Sequence, residues 1–340
     1  MNATACIPVG LDLAKDVFQL HWVDALTGEI HNIRVKRAKL LEHFANRQRC
    51  HVGMEACGGA QHWARELIKL GHETTLLPGK AVKAFVSGNK SDAIDARAIW
   101  MALRHSDAKP VAVKTEAQQA MLALHRMRQQ LMKMTTMQVN ELRGLLTEYG
   151  EVFGRGRAPL ARGIAAALDR LSTRLPQVVI DSLLDLWQRI GQLDEQVKQI
   201  EQRLKALYKK DPAAQRIAQI PGVGLLSATA VSAAMGQASA FASGREFAAW
   251  LGLVPAHTGS GGKTRMLGIS KRGDTYLRTL LIHGARSVLT HNKNPSTWQQ
   301  ELIKRRPHNV AVVAMANKTA RTIWAMLRYE RDYRPDWASA

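Results

Sequence analysis

Four carboxylates stand at positions where they could hold metal ions. Asp12 ends the apolar run Cys6-Ile-Pro-Val-Gly-Leu-Asp12, and Glu55 ends the run His51-Val-Gly-Met-Glu55. Asp92 and Asp95 are three residues apart, which puts them on one face of a helix. Carboxylate oxygens at strand ends and on one helical face suit hard divalent cations. Two such ions about 4 Å apart can activate an attacking oxygen and steady the leaving oxygen of a phosphodiester. Taken singly, Asp92 reads equally as a helix cap and Asp12 as a strand-end turn; the set of four points to a metal site.

Two glycine-containing segments could meet phosphate. Ile220-Pro-Gly222-Val-Gly224 resembles a helix–hairpin–helix turn, whose glycines let backbone N–H groups approach a phosphate without reading bases. An ordinary tight interhelical turn fits it as well. His257-Thr-Gly-Ser260-Gly-Gly-Lys263-Thr-Arg265 combines a hydroxyl, two cations and a flexible backbone. It lacks the glycine spacing of a Walker A loop. By chemistry alone it is a phosphate-binding loop whose serine donates a hydrogen bond. A nucleophilic Ser260 would also need a way to lose its proton, which metal ions can supply. Cys50, His51 and Cys57 have no zinc-ligand spacing, and three cysteines make no disulfide framework.

The elements that must position these groups differ along the chain. Up to residue 110, strands are expected at 6–12, 17–23, 30–35, 51–55 and 73–77, with helices at 40–47, 60–70 and onward to about His105. A three-strand meander followed by strand–helix alternation is α/β with an antiparallel start, an order that suits a ribonuclease-H-like domain. Residues 116–149 predict one long helix, broken after Glu151 by two glycines and Pro159. Leu183, Leu186, Ile190, Leu193, Val197, Ile200, Leu204 and Leu207 then form an a/d seam. That seam fits either an internal hairpin against Leu124, Met127, Leu131 and Met134, or a coiled coil between two chains. Beyond residue 212, short helices are expected at 241–251, 276–289 and 310–328, with 259–273 a glycine-rich basic loop.

The 340 residues carry a formal charge of +20, distributed as +4, +5 and +11 over 1–110, 111–212 and 213–340. Between Phe247 and Tyr329 the only acids are Asp274 and Glu301. Such a surface expects a polyanionic partner, because each phosphate contact releases condensed counterions. No apolar run reaches the ~20 residues that span a bilayer, and the N-terminus lacks a signal-peptide lead-in, so a soluble cytoplasmic protein is expected.

The strings Gly10-Leu-Asp12-Leu-Ala-Lys15, Met54-Glu55-Ala-Cys-Gly58, Asn89-Lys-Ser-Asp92-Ala-Ile-Asp95-Ala-Arg97, Ile220-Pro-Gly-Val-Gly224, Ser260-Gly-Gly-Lys-Thr-Arg265 and Ile269-Ser-Lys-Arg-Gly273-Asp fall in one order. Together, over about residues 6–330, they resemble the DEDD transposases of bacterial insertion sequences, relatives of the Piv invertases that are also described as bridge-RNA-guided recombinases. The resemblance implies three parts: a RuvC-like, ribonuclease-H-fold domain over 1–110, a helical coiled-coil segment over 111–211 and a mainly helical C-terminal transposase domain over 212–340. It implies a metal-binding, catalytic tetrad of Asp12, Glu55, Asp92 and Asp95, a two-ion Mg²⁺ site, and Ser260 as the nucleophile of a covalent protein–DNA intermediate. Ser270 is the nearby competitor for that role. Lys263, Arg265, Lys271, Arg272, Gly222 and Gly224 become candidate nucleic-acid contacts. The implied partners are element and target DNA, a structured guide RNA from the element, and further copies of the chain, with the two halves of one active site drawn from different protomers, on the nucleoid. The chain departs from the family pattern at Gly259, where serine is frequent, and at Leu267, where glycine is common; neither removes a reacting group. The rival readings are a hydrolytic junction nuclease and a non-catalytic basic nucleic-acid-binding protein.

Overall fold

The computed structural model describes residues 6–89, 91–105 and 109–335. The chain divides into two compact units, Met1–Ala117 with Met235–Ala240, and Gln118–Ala234 with Phe241–Ala340.

The first unit is built on a five-stranded sheet. Its elements are β1 (Ile7–Asp12), β2 (Val17–Val23), β3 (Ile30–Lys36), α1 (Leu40–Ala45), β4 (Cys50–Glu55), α2 (Ala60–Lys69), β5 (Glu73–Leu77), α3 (Gly79–Lys83) and α4 (Asp92–Arg104). The strand order is β3-β2-β1-β4-β5. The meander β1–β2–β3 is antiparallel, whereas β1–β4 and β4–β5 are parallel. The expected antiparallel start and strand–helix continuation are therefore both present. Val9, Leu11, Phe18, Leu20, Val52, Met54 and Leu76 are removed from water along the central strands and pack with Phe44, Trp63 and Leu67 from the helices. The helical stretch expected to run to His105 is instead two helices, because Ser87 and Gly88 interrupt it.

The second unit is helical apart from one ribbon. It contains α5 (Glu116–Glu148), α6 (Arg157–Ser172), α7 (Gln177–Tyr208), α8 (Pro212–Ile217), α9 (Leu225–Met235) and α10 (Gly244–Trp250). Then follow β6 (Pro255–Ser260), β7 (Lys263–Ile269), α11 (Thr275–His291), α12 (Thr297–Arg305) and α13 (His308–Arg328). The seam of α7 is filled by the same chain. Ile180, Leu183 and Ile190 pack with Leu142 and Leu146 of α5 and with Leu160, Ile164, Leu168 and Leu171 of α6. Further along, Ile200 and Leu204 meet Met121, with Leu124 and Leu131 packed alongside. Helix α6 is unforeseen, since its alanines hide the apolar period. Arg143 holds the turn before it by donating to the carbonyls of Phe153, Gly154 and Gly156 at 2.6–2.7 Å. Two residues expected against the seam face elsewhere: Met127 is 55% and Met134 42% exposed. No helix among the described residues is long and apolar enough to cross a membrane.

Candidate active-site groups

In the first unit, parallel pairing sets Gly10 beside Gly53 and Leu11 beside Met54. The next residues are Asp12 and Glu55, so both carboxylates leave the carboxyl ends of adjacent central strands. That is the end of an α/β sheet where side chains project into a crevice. Helix α4 lies on this pair because two glycines clear its path. A Cβ on Gly10 would stand 2.2 Å from the Ala96 carbonyl oxygen and 2.6 Å from the Trp100 nitrogen, and one on Gly53 3.1 Å from Leu103. The close approach delivers the first turn of α4, with Asp92 and Asp95, to the region of Asp12. Ser91 caps that turn by accepting from the Ile94 N–H. The helix N-terminus there favours negative charge.

The electrostatics report this convergence. The Asp12 carboxyl is pushed up to about 6, first by burial and then by Asp95, Asp92 and Glu55; a hydrogen bond from the Leu13 backbone opposes the rise. Glu55 turns its carboxylate toward Gly79, where an added Cβ would lie 2.4 Å from Oε1. None of the four carboxylates has an ion-pair partner among the described residues. Four hard oxygen donors with uncompensated charge suit a divalent cation. As they stand, no three His, Cys, Asp or Glu side chains among the described residues converge closely enough to hold one ion. The tetrad is gathered at one sheet end and not closed on a point.

In the second unit, the segment expected as a loop is a β-ribbon. Ser260 pairs with Lys263, Gly259 with Thr264 and Thr258 with Arg265. Gly261 and Gly262 form the turn with φ of +58° and +79°. Positive φ at both central residues is the type I′ requirement, which matches strand twist and strongly favours glycine. Gly259 has its own reason: a Cβ there would lie 2.0 Å from the Lys263 carbonyl oxygen. The departure from the family's frequent serine is thus a fit to this tight ribbon.

Ser260, Lys263 and Arg265 are all exposed, at and beside the tip. Ser270 differs, since its Oγ is buried without a partner. The foot of the ribbon is clamped. A Cβ on Gly252 would lie 2.0 Å from the Arg272 carbonyl oxygen, and one on Gly273 1.8 Å from that of Trp250. Buried Arg278 donates to the carbonyls of Leu251 and Arg272 at 3.1 and 3.3 Å. Lys271 and Arg272 remain exposed beside this clamp, with Lys271 at a φ of +53°.

The turn at 220–224 divides its glycines between two tasks. Gly222, at φ +82°, lies against α11, where a Cβ would stand 2.6 Å from the Gly284 carbonyl oxygen. Gly224 is exposed, with open space where a Cβ would project, at the start of α9. Only Gly224 therefore has the freedom expected of a phosphate contact. Cys6, Cys50 and Cys57 are free thiols. The glycines that seat α4 and the Arg278 clamp went unread in the sequence; a glycine inside each of two adjacent apolar strands was the available signal.

Comparison with known proteins follows the same division. Residues 9–151 match the DEDD-type IS110 model described as "Transposase", and residues 214–300 match "Transposase IS116/IS110/IS902 family". The chain is 44% identical over 332 residues to a "Probable family 20 transposase" of Pseudomonas aeruginosa, covering 96% of this chain and 98% of the relative. It is 42% identical to the "Transposase for insertion sequence element IS1111A" of Coxiella burnetii, covering 96% and 91%. Identity to the "Transposase for insertion sequence element IS1328" of Yersinia enterocolitica is 36%, covering 94% and 96%. Membership implies an RNase-H-like fold for the sheet unit, use of a divalent metal and DNA as partner. With its carboxylates gathered at one sheet end and matching transposases along nearly its whole length, the chain belongs to the IS110/IS116 family of insertion-sequence transposases.

Proposed function

We propose that this transposase is a Mg²⁺-dependent serine recombinase, cutting and rejoining DNA through a covalent Ser260–DNA intermediate under direction of an RNA encoded by its element. The observation that carries the reading is the gathering of Asp12, Glu55, Asp92 and Asp95 at one end of the sheet, where burial first and then the charges of Asp95, Asp92 and Glu55 raise the Asp12 carboxyl to about 6. Structural carboxylates are ordinarily paired with cations. A buried carboxylate whose ionisation is opposed by neighbouring carboxylates is a common property of functional sites.

Asp12, Glu55, Asp92 and Asp95 would hold the metal. When bound, Mg²⁺ supplies positive charge against the non-bridging phosphate oxygens and lowers the pKa of a coordinated hydroxyl. Ser260 Oγ attacks phosphorus, forming the Oγ–P bond while one P–O bond to deoxyribose breaks. The serine proton passes to a carboxylate of the site or to solvent, and the departing deoxyribose oxygen gains a proton. The phosphodiester is conserved in energy on serine, and attack by a new deoxyribose hydroxyl reseals the strand without net hydrolysis. Lys263, directly across the ribbon from Ser260, and Arg265 neutralise the phosphate; Lys271, Arg272 and the open backbone at Gly224 hold flanking backbone, with Gly222 fixing the turn against α11.

In this reading, residues 1–110 form the metal domain, 111–211 the helical segment and 212–340 the serine domain. The assembly is oligomeric, serine and tetrad coming from different copies, on the nucleoid of the bacterial cytoplasm. Specificity rests on guide–target pairing, which needs no base-reading code in the protein.

The test is a covalent-adduct trap. Protein, flank transcript and labelled target and donor DNA are incubated with Mg²⁺ and run on a denaturing gel beside Ser260→Ala. A labelled protein–DNA band that disappears in the variant supports the reading. Free cleaved DNA from both proteins, with no adduct, makes the tetrad a hydrolytic nuclease and rejects it.

A further inference from the structure

A pocket among the C-terminal helices has no task in the chemistry above. Helix α12 opens on a capping box, in which the Gln299 N–H donates to Ser296 Oγ and the Ser296 N–H donates to Gln299 Oε1. The Gln299 amide also donates to Met315 Sδ of α13 at 3.8 Å. These contacts fix the first turn of α12 on α13 and set Trp298, half-buried, beside Lys318, whose Nζ lies 4.2 Å from the ring centroid.

The opposite wall is the chain that follows α13. Gln219 holds it reciprocally, accepting from the Tyr333 N–H at 2.9 Å and donating to Asp332 Oδ1 at 3.2 Å. Arg216 stands 3.6 Å from the same carboxylate. The walls enclose a cavity of about 280 Å³ that reaches Val288 of α11. Clefts for small ligands start at about 300 Å³, so there is room for one small ligand.

The lining is chemically one-sided. It offers two cations, Lys318 and Arg334, and two rings, Trp298 and Tyr333, with no Asp or Glu among the described residues. Asp332, the neighbouring acid in the tail, is already engaged by Arg216 and Gln219. Lys318 and Thr322 lie one turn apart on one face of α13. Neither side chain has a hydrogen-bond or ion-pair partner among the described residues. Burial, and then the charge of Arg321, hold the Lys318 ammonium below its ordinary pKa. A bound anion would remove that cost. Aromatic walls beside the cations suit a ligand that is flat at one end and anionic at the other. Two cations without a counter-charge match the two negative charges of a phosphate monoester better than the single charge of a diester within a strand.

We propose that this pocket binds one nucleotide bearing a phosphate monoester, with its base against Trp298 and Tyr333 and its phosphate on Lys318 and Arg334. Two sources share that chemistry: a free nucleoside monophosphate and the phosphorylated terminal nucleotide of a strand. The site depends neither on Ser260 nor on the carboxylate tetrad.

Calorimetric titration of the full chain with AMP, adenosine and inorganic phosphate tests it. AMP should bind saturably, and adenosine and phosphate each on the order of tenfold more weakly or worse, because each supplies only one part of the contact. Lys318→Met should weaken AMP on the order of tenfold, while Lys318→Arg, which keeps the charge, should retain most of the affinity. Trp298→Ala should cost a similar factor and Trp298→Phe much less. Circular dichroism checks that each variant folds. Competition by a short oligonucleotide then separates the sources. Displacement of AMP by a 5′-phosphorylated strand but not by its 5′-hydroxyl counterpart assigns the pocket to strand ends, and displacement by neither assigns it to the free nucleotide. Displacement by both alike would reduce it to general polyanion binding and overturn the proposal. So would AMP that fails to bind at millimolar concentration, that binds no better than inorganic phosphate, or that binds Lys318→Met as it binds the wild type.

Discussion

The sheet end of the first unit and the serine ribbon of the second solve positioning in opposite ways. Asp12, Glu55, Asp92 and Asp95 are brought near one another by packing between elements far apart in sequence, and the packing depends on Gly10 and Gly53 admitting α4. Ser260 and Lys263 are set across from each other by a two-glycine turn that needs no tertiary contact. Groups that must share charge at fixed spacing need a buried scaffold. The Ser260 hydroxyl instead sits on an exposed tip whose foot is held by Arg278, an arrangement that would suit the role proposed for it.

That contrast predicts different failures. The largest effects should come from the reacting groups. Asp95→Asn should reduce strand cleavage by on the order of 10³-fold or more, with DNA binding retained in a mobility-shift assay. It should also let the Asp12 carboxyl titrate nearer its ordinary value, read by carboxyl-selective NMR. Activity should vanish with chelator and return with added divalent ion; activity that persists in excess chelator would sever the tetrad from metal chemistry.

Next comes Gly10→Ala, which drives a methyl into the α4 backbone. We expect a loss of about 2–3 kcal/mol or more in urea unfolding, with activity lost alongside. Gly262→Ala, by contrast, should cost only about 1 kcal/mol, the cost of a left-handed residue. Its effect should fall on serine reactivity more than on the unfolding midpoint. If both substitutions prove equally destabilising, the distinction between packed scaffold and local turn fails.

The smallest effect is in pH, where the two units should respond with opposite sign. Asp12 has a raised pKa in the fold, so the folded state binds a proton more tightly and this group favours folding as pH falls from about 6 toward 4. In the second unit, His125 is buried, with Nδ1 on Tyr276 and Nε2 on Thr229, and its pKa is lowered to about 4 chiefly by desolvation, with Arg128 adding to it. Keeping His125 neutral contributes stability above its unfolded value near 6.5, lost as pH falls through 6.5 toward 4. Amide exchange resolved by peptide as pH is lowered from 7 to 4 should show protection rising near Asp12 and falling around His125, relative to the intrinsic exchange rate at each pH. Asp12→Asn and His125→Gln should each flatten only their own trend.

Short-range patterns carried much of the fold. The strands at 17–23 and 73–77 are bounded as alternation and turn residues imply, and the long helix from Glu116 ends within a residue of Tyr149. Asp92 and Asp95 could be placed on one helical face from spacing alone, and Gly261-Gly262 carries its own turn geometry. What spacing could not supply was which surfaces would meet. Helix α6 was hidden because alanines contribute little apolar contrast. Met127 and Met134 share the apolar character of Leu124 and Leu131, yet they point outward while the leucines meet α7. The glycine-rich basic segment read as a loop because glycine erases the alternation that marks a strand.

By itself, then, the sequence determined the candidate groups, their order along the chain and the local geometry at each, because these depend on residue type and on neighbours a few positions away. Tertiary structure alone decided that burial and three carboxylates from other segments would raise the cost of ionising Asp12, that Gly222 would be spent on α11 while Gly224 stays open, and that α7 would find its seam partner within its own chain. Each of those outcomes is a contact between residues distant in sequence, and the energy of such a contact exists only once both sides are folded.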